Sequence, residues 1–217
     1  MKLHEVLDRA RATLNDTALP YRWSDTELVD YLNDSINELC AVTKYIIDST
    51  SDMCLITTYD GINSYPIDDR IISIKRASDP NYDLEVTTAA KIVSMCGKGF
   101  MTAKGQPRRM WVEGGNASFY PIPDDTYEIS LVVCRRPLEQ MDAGYPESIP
   151  EINAVYHTKL IYGIGRYAYM KDQQETVNPV LAQTYAQLWQ RAMETILLDM
   201  SRLNNPASAM GYDYSRQ

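Results

Sequence analysis

The stretch Arg22-Trp23-Ser24-Asp25-Thr26-Glu27-Leu28 constrains the fold more than any other part of the chain, because three independent signals there write the start of a helix. Ser24 is placed to accept a hydrogen bond from the Glu27 amide while the Glu27 carboxylate returns to the Ser24 amide. Two donors that a helix otherwise leaves unpaired are thereby satisfied together. Trp23 before the cap and Leu28 beyond it have the spacing of a hydrophobic staple, which fixes how the chain enters the helix. Asp25 adds negative charge at the positive helix end. Trp23, Ser24, Glu27 and Leu28 are therefore read as a structural helix start.

The flanking periodicities extend this into an architecture. Leu3, Val6, Leu7, Ala10 and Leu14 recur at helical spacing, with Asp8, Arg9 and Arg11 on the other side, and Asn15-Asp16 and Pro20 end that helix. In the helix that Ser24 caps, Leu28, Tyr31, Leu32, Ile36, Leu39, Cys40 and Tyr45 form the apolar stripe, and Asp30, Asn33, Asp34 and Asn37 the solvated face. Its expected end is about Ile47. The period then changes. Met53 to Tyr59 reads as a strand before the Asp60-Gly61 turn, with Tyr65 in its hairpin partner; Arg70 to Arg76 and Leu84 to Val86 read as further strands.

Thr87 or Thr88 caps a short helix that Gly97 stops, and a glycine-rich loop runs on to Pro107. Met110 to Val112 and Ser118 to Tyr120 flank Gly114-Gly115-Asn116 as a tight hairpin, and Tyr127 to Cys134 is the strongest strand. After a polar connection from Leu138, Ser148-Ile149-Pro150-Glu151 reads as a second capping box, opening a helix with Val155, Tyr156, Leu160, Gly163, Ile164, Tyr167 and Ala168 inward. Gly163 and Gly165 cost about 1 kcal/mol each against Ala in a helix, so close approach of another helix is their use. Asn178-Pro179 starts the last helix, with Leu181, Tyr185, Leu188, Ala192, Ile196 and Leu203 as its stripe.

The fold class that follows is α+β: mainly a helical bundle from the N- and C-terminal helices with an inserted β-rich domain. The expected segments are 1–52 for the first half of the bundle, 53–137 for the insert with one short helix, 138–204 for the second half, and 205–217 for an extended C-terminal tail. That tail is too polar to order alone, and its Met210, Tyr212 and Tyr214 have no core to join, which makes them candidates for an interface.

Composition removes several classes of function. Lys plus Arg is 21 against 29 Asp plus Glu, a net charge of −8 whose acidity sits at the two ends of the chain, which opposes a grip on nucleic acid through phosphates. Cys40, Cys54, Cys96 and Cys134 are scattered without the short spacings of a metal or redox site and read as buried thiols in a reducing compartment. No signal peptide and no apolar run long enough for a membrane span are present.

Gly97-Lys98-Gly99 and Lys104-Gly105 lack the order of a phosphate loop, and His4 and His157 lack the spacing of a two-histidine zinc helix, so neither cofactor nor metal is expected. Lys98, Lys104, Arg108 and Arg109 read as a solvated basic loop before a phosphate contact. Glu113 with Asp124 and Asp125 is the one constellation worth testing for glycan cleavage, although carboxylates in turns are usually solvated. Sixteen tyrosines against two phenylalanines favour surfaces that are apolar in body and polar at the tip, with Tyr156, Tyr167 and Tyr185 assigned to the core.

Trp23-Ser24-Asp25-Thr26-Glu27-Leu28-Val29-Asp30-Tyr31-Leu32-Asn33-Asp34, preceded by Val6-Leu7-Asp8-Arg9-Ala10-Arg11, resembles the opening of tailed-phage head-to-tail adaptor proteins of the podovirus-type connector kind. The order of Gln106-Pro107 to Pro137, Ile149-Pro150-Glu151, Tyr156 to Leu160 and Tyr167-Ala168-Tyr169 fits that family over nearly the whole chain. The resemblance implies a non-enzymatic virion protein at the head-tail junction, assembled in host cytoplasm as a homo-oligomeric ring, commonly dodecameric. Such a ring docks on the portal protein, joins a tail or nozzle protein and lines part of the channel for genomic DNA, without reading its sequence. It gives Met210, Tyr212 and Tyr214 the role of portal anchors. The competing readings are another neck component, a head-closure or tail-terminator protein, and a virion-associated peptidoglycan hydrolase.

Overall fold

A computed structural model describes residues 1–97, 102–171 and 178–204. The chain divides into a helical unit, residues 1–45 with 137 onward, and a strand unit, residues 46–136.

In the helical unit α1 (Leu3–Leu14), α2 (Asp25–Thr43), α4 (His157–Met170) and α5 (Pro179–Asn204) pack together, with α4 against all three others. Leu3, Val6, Leu7, Ala10 and Leu14 of α1 are buried as their spacing requires, and so are Leu28, Leu32, Ile36, Leu39 and Cys40 of α2. Two polar residues expected on solvated faces are instead inside. Arg11 is buried among carboxylates, and Asn33 is buried because its side chain pairs twice with the Met141 backbone, at 2.8 Å in each direction.

Helix α2 stops at Thr43, short of the expected Ile47. Lys44 turns left-handed at φ 52°, its amide donates to the Cys40 carbonyl, and the β-branched pair that follows enters a strand. The second capping box does not form: Ser148 donates to the Tyr145 carbonyl, and the Glu151 carboxylate accepts from the Leu138 amide. The chain enters α4 through a short 3-10 turn, Ala154–Tyr156, where Asn153 caps the Val155 amide, leaving Val155 exposed. In α5 the inward register includes Ala182 and Trp189, while Leu181 and Leu203 are exposed; the large indole at 189, rather than the leucines at 181 and 188, sets the inward face.

Both interior glycines of α4 have the use expected of them. A Cβ on Gly163 would lie 2.3 Å from the Ser35 Oγ and 2.6 Å from the Ser35 Cβ of α2. On Gly165 it would lie 2.8 Å from the Tyr185 ring of α5. The absence of side chains at these two positions lets α4 approach neighbours on two sides.

The strand unit holds β1 (Ile46–Asp48), β2 (Leu55–Thr57), β3 (Ser64–Pro66), β4 (Ile71–Asp79), β5 (Tyr82–Val86), β6 (Arg109–Glu113), β7 (Asn116–Tyr120) and β8 (Glu128–Arg135), with the short α3 (Ala89–Cys96) after β5. The order is β1-β8-β4-β5-β6-β7-β3, with β2 also on β8, and every pair is antiparallel except β5 with β6. The sheet curls around one core in which Ile129, Leu131 and Val133 of β8 meet Ala77, Met110 and Phe119.

Gly114 and Gly115, both at positive φ, make the two-residue turn between β6 and β7 that the sequence signalled. Thr88, of the two threonines, caps α3. The expected pairing of Tyr65 with the 53–59 strand fails. Thr58 is tied to Tyr127 beside β8, and the Tyr65 hydroxyl accepts from the Tyr59 amide and donates to the Ile62 carbonyl, so β3 is delivered to β7 instead. Cys40, Cys54 and Cys134 are buried and Cys96 is half-buried, and none of the four is in a disulfide.

At the end of the sheet Arg135 and Asp48 form a buried ion pair at 2.5 Å. Burial alone would push the Asp48 carboxyl up. The Thr50 amide, the Ser51 hydroxyl and the Arg135 guanidinium outweigh it and hold Asp48 well below the usual carboxylate range.

Two outcomes check this packing. Gly163→Ala is expected to lower the denaturation midpoint, because overpacking costs about 1–3 kcal/mol against a helix-propensity gain of about 1; an unchanged or raised midpoint would refute the α2–α4 approach. Because the folded Asp48 carboxyl is depressed below its unfolded value of about 3.9, its stabilisation is complete above that pH and is lost as pH falls below it. Asp48→Asn is therefore expected to weaken the protein at neutral pH and to shrink its acid-limb slope in a midpoint-against-pH series.

Candidate functional site

The helical unit presents the candidate interaction surface, and its stiffness starts at the turn between α1 and α2. The Arg11 guanidinium donates to Asp16 at 2.7 Å, to the Trp23 carbonyl at 3.0 Å and to Asp25 at 2.5 Å, and lies 3.8 Å from the Tyr21 ring centroid. Asp16 in turn accepts from the Arg22 amide at 2.8 Å. The turn is thus wound around one cation whose own side chain is only 7% exposed.

Both halves of the Ser24–Glu27 capping box form: the Glu27 amide donates to Ser24 Oγ at 3.3 Å and the Ser24 amide to Glu27 Oε2 at 2.9 Å. Glu27 also accepts from Lys171 at the end of α4. The Lys171 ammonium and the Ser24 amide together hold the Glu27 carboxyl below its ordinary value. Trp23 and Leu28 are fully buried, and the Trp23 indole donates to the Ala168 carbonyl at 3.1 Å while meeting Tyr169 edge-on at 5.6 Å. The sequence motif therefore joins α2 to α4 as well as starting α2.

Tyrosines then close the helix ends. Tyr169 donates to the Leu14 carbonyl at 3.1 Å and Tyr185 to the Thr13 carbonyl at 3.2 Å, so hydroxyls from α4 and α5 satisfy the last turn of α1. Tyr156 donates to Asp199 at 3.0 Å, and burial together with that carboxylate pushes its hydroxyl up to about 12. Glu38 of α2 binds Arg166 of α4 and accepts from the Trp189 indole of α5 at 3.0 Å. The α1 amides of Leu3 and His4 donate to the Ser148 and Pro146 carbonyls, which fastens the 138–153 connection to the bundle.

On this frame several apolar side chains remain exposed: Tyr145 and Ile149 on the connection, Val155 at the start of α4, and Leu198 and Leu203 on α5. Met210, Tyr212 and Tyr214 lie outside the described residues, as does Lys98 of the basic loop. The rest of that loop is spent on separate partners. Lys104 pairs with Asp60, Arg109 with Glu85, and Arg108 stacks on Tyr82 at 3.9 Å.

The glycan-cleavage constellation lacks the burial that a raised acid pKa requires. Glu113 faces Asn116 at the hairpin tip and Arg109 faces Tyr120 at its base. Asp124 is engaged by the Tyr127 hydroxyl at 2.7 Å, and all three carboxylates are exposed. Among the described residues no group of three His, Cys, Asp or Glu side chains could hold a metal ion, and no helix is long and apolar enough to cross a membrane.

The family model described as SU10 adaptor protein matches residues 1–210, so the chain belongs to that family, a family of structural phage adaptors. No curated protein matches it.

The charge cluster and the cap differ in depth, and their loss differs accordingly. Arg11→Met leaves Asp16 buried without its cation and is expected to cost roughly 3–5 kcal/mol, whereas Ser24→Ala is expected to cost about 1 kcal/mol. Chemical denaturation of both variants checks the order; equal shifts would reduce the Arg11 cluster to an ordinary surface pair.

Proposed function

We propose that this member of the SU10 adaptor family is the head-to-tail adaptor of a tailed-phage virion: a ring, of twelve subunits in the simplest case, that docks on the portal protein, receives a tail or nozzle protein and contributes to the DNA channel. The observation that carries the reading is a family match spanning residues 1–210, over helices, strands and connections alike. The helical unit supports it. Its four helices are cross-tied through Arg11, Glu27 and Glu38, yet leave Tyr145, Ile149, Leu198 and Leu203 exposed, as a rigid part with partners requires.

The acidic excess of the chain suits a wall past which DNA slides, because it offers few cations to release counterions from phosphate. Met210, Tyr212 and Tyr214 are the proposed portal anchors, aromatic and thioether groups of the kind that dominate interface hot spots.

Native mass spectrometry or light scattering of the protein, alone and with its portal, tests this reading. The expected result is a large complex with portal in ring stoichiometry, and a protein deleted of residues 206–217 that keeps its fold but no longer attaches. Persistent monomers that ignore portal would sink the adaptor reading; undiminished attachment of the truncated protein would remove the tail from it.

A further inference from the structure

The 138–153 connection folds around a cavity of its own. About 480 Å³ in volume, it is lined by residues 139–142 and 144–148 only, and the lining is mostly apolar. Met141, Tyr145 and Pro146 contribute apolar groups, Glu139, Asp142 and Glu147 contribute carboxylates, and no Lys or Arg takes part. The segment is held from both sides. Asn33 of α2 pairs with the Met141 backbone, and the Leu3 and His4 amides of α1 donate to the Ser148 and Pro146 carbonyls. Within it the Tyr145 amide donates to the Asp142 carbonyl at 2.9 Å and the Ser148 amide to the Tyr145 carbonyl at 3.0 Å. A cavity shaped by backbone that is already fastened spares a ligand much of the cost of ordering its site.

The charge of the lining is unbalanced. Glu147 is neutralised by Lys2 at 2.5 Å, but the Asp142 carboxylate takes only the Gly144 amide, and Glu139 has no side-chain partner among the described residues. Glu139, Asp142, Glu147 and Glu151 are the only charged residues between Leu138 and Asn153. An apolar wall beside unneutralised carboxylates fits an arginine or lysine side chain, whose methylene stem packs while its head pairs. The cavity's place in the bundle indicates the protein that brings it. The Met1 nitrogen lies 2.8 Å from His157 Nδ1, and the Tyr156 hydroxyl meets Asp199. The starts of α1 and α4, the connection and the last turns of α5 therefore share one end of the bundle. Asn204 ends α5 there, and at most about 22 Å of chain separates it from Met210, the first of the anchors proposed above for the portal. Tyr145 and Ile149, 71% and 60% exposed, stand at this same end.

We propose that this cavity is a second portal contact, receiving an arginine or lysine side chain of the portal protein, with Met141, Tyr145 and Pro146 against its stem and Glu139 and Asp142 taking its charge. The inference rests on the adaptor reading above and adds a site to it. The tail anchors tether the chain, and the cavity supplies a charge-matched seat close to where the tail departs.

The apparent affinity of the whole protein for immobilised portal, measured across a salt series, tests this. Glu139→Gln with Asp142→Asn keeps the shape of the lining and removes its charge. It is expected to weaken attachment by about tenfold or more, the worth of one charge-assisted hydrogen bond, with a loss that shrinks as salt rises. Tyr145→Ala is expected to weaken attachment without that salt dependence. Asp30→Asn with Asp34→Asn removes the same charge from the exposed face of α2 and is expected to leave attachment nearly unchanged. All of these positions are exposed, and wild-type circular dichroism is expected throughout. Attachment unchanged by the Glu139 and Asp142 pair or by Tyr145→Ala, or an equal loss in the Asp30 and Asp34 pair, would overturn the cavity's role and leave the adaptor reading intact. A wild-type protein that ignores portal would remove the adaptor reading, and this inference with it.

Discussion

The Arg11 guanidinium is the interaction on which the helical unit most depends. A buried cation is costly unless its partners are fixed, and here Asp16, Asp25, the Trp23 carbonyl and the Tyr21 ring are all drawn from the next fourteen residues of the chain. Once the turn is wound on that charge, Trp23 has one direction to point, and its indole reaches the Ala168 carbonyl of α4. The capping box then acts on a helix whose entry is already set. Glu27 carries the constraint onward, because the carboxylate that caps α2 also holds Lys171. One electrostatic centre thus fixes the relation of α1 to α2 and, through a tryptophan and a glutamate, that of both to α4.

Helix α4 can occupy the middle only because it gives up side chains where neighbours come closest. Gly163 faces Ser35, and Gly165 faces the Tyr185 ring. A pair of interior glycines weakens an isolated helix by about 2 kcal/mol relative to alanines, so α4 is made by its surroundings more than by its own propensity. The same dependence explains why its start moved: with Glu151 turned toward the Leu138 amide, Asn153 supplies the cap, and the helix begins where its buried face begins.

Sequence periodicity revealed the helices, the hairpin at Gly114-Gly115 and most core positions, because each depends on residues close together in the chain. It missed what depends on residues far apart. Arg11 looked solvated by position in α1, since the carboxylates that bury it lie beyond the helix end. Asn33 looked solvated because its partner, the Met141 backbone, is 108 residues away. Tyr65 could not reveal its strand partner, as β3 pairs with β7 from across the unit. Leu181 and Leu188, seven residues apart in α5, suggested a face that Trp189 rotated, since one large buried indole outweighs a partly exposed Leu188. For the candidate site the Ser24–Glu27 cap was legible in full, whereas its bond to Lys171 was not.

The excess of tyrosine over phenylalanine has a structural cause that composition alone pointed toward interfaces. The last carbonyls of a helix have no intrahelical donor, and where the helix end packs against its neighbours a side-chain hydroxyl can serve them. A phenylalanine at 169 or 185 would fill the same space and leave the Leu14 and Thr13 carbonyls without these hydroxyl donors. Tyr169 and Tyr185 stack ring on ring at 5.7 Å and deliver their hydroxyls to adjacent carbonyls, so packing and capping are met by the same atoms. Phe119 occupies the opposite setting, fully buried in the sheet core among Met110, Ala117 and Leu131, with its own amide already taken by the Asn63 carbonyl and side chain. At 169 and 185 the choice of tyrosine thus follows the carbonyls that each ring serves at the end of α1.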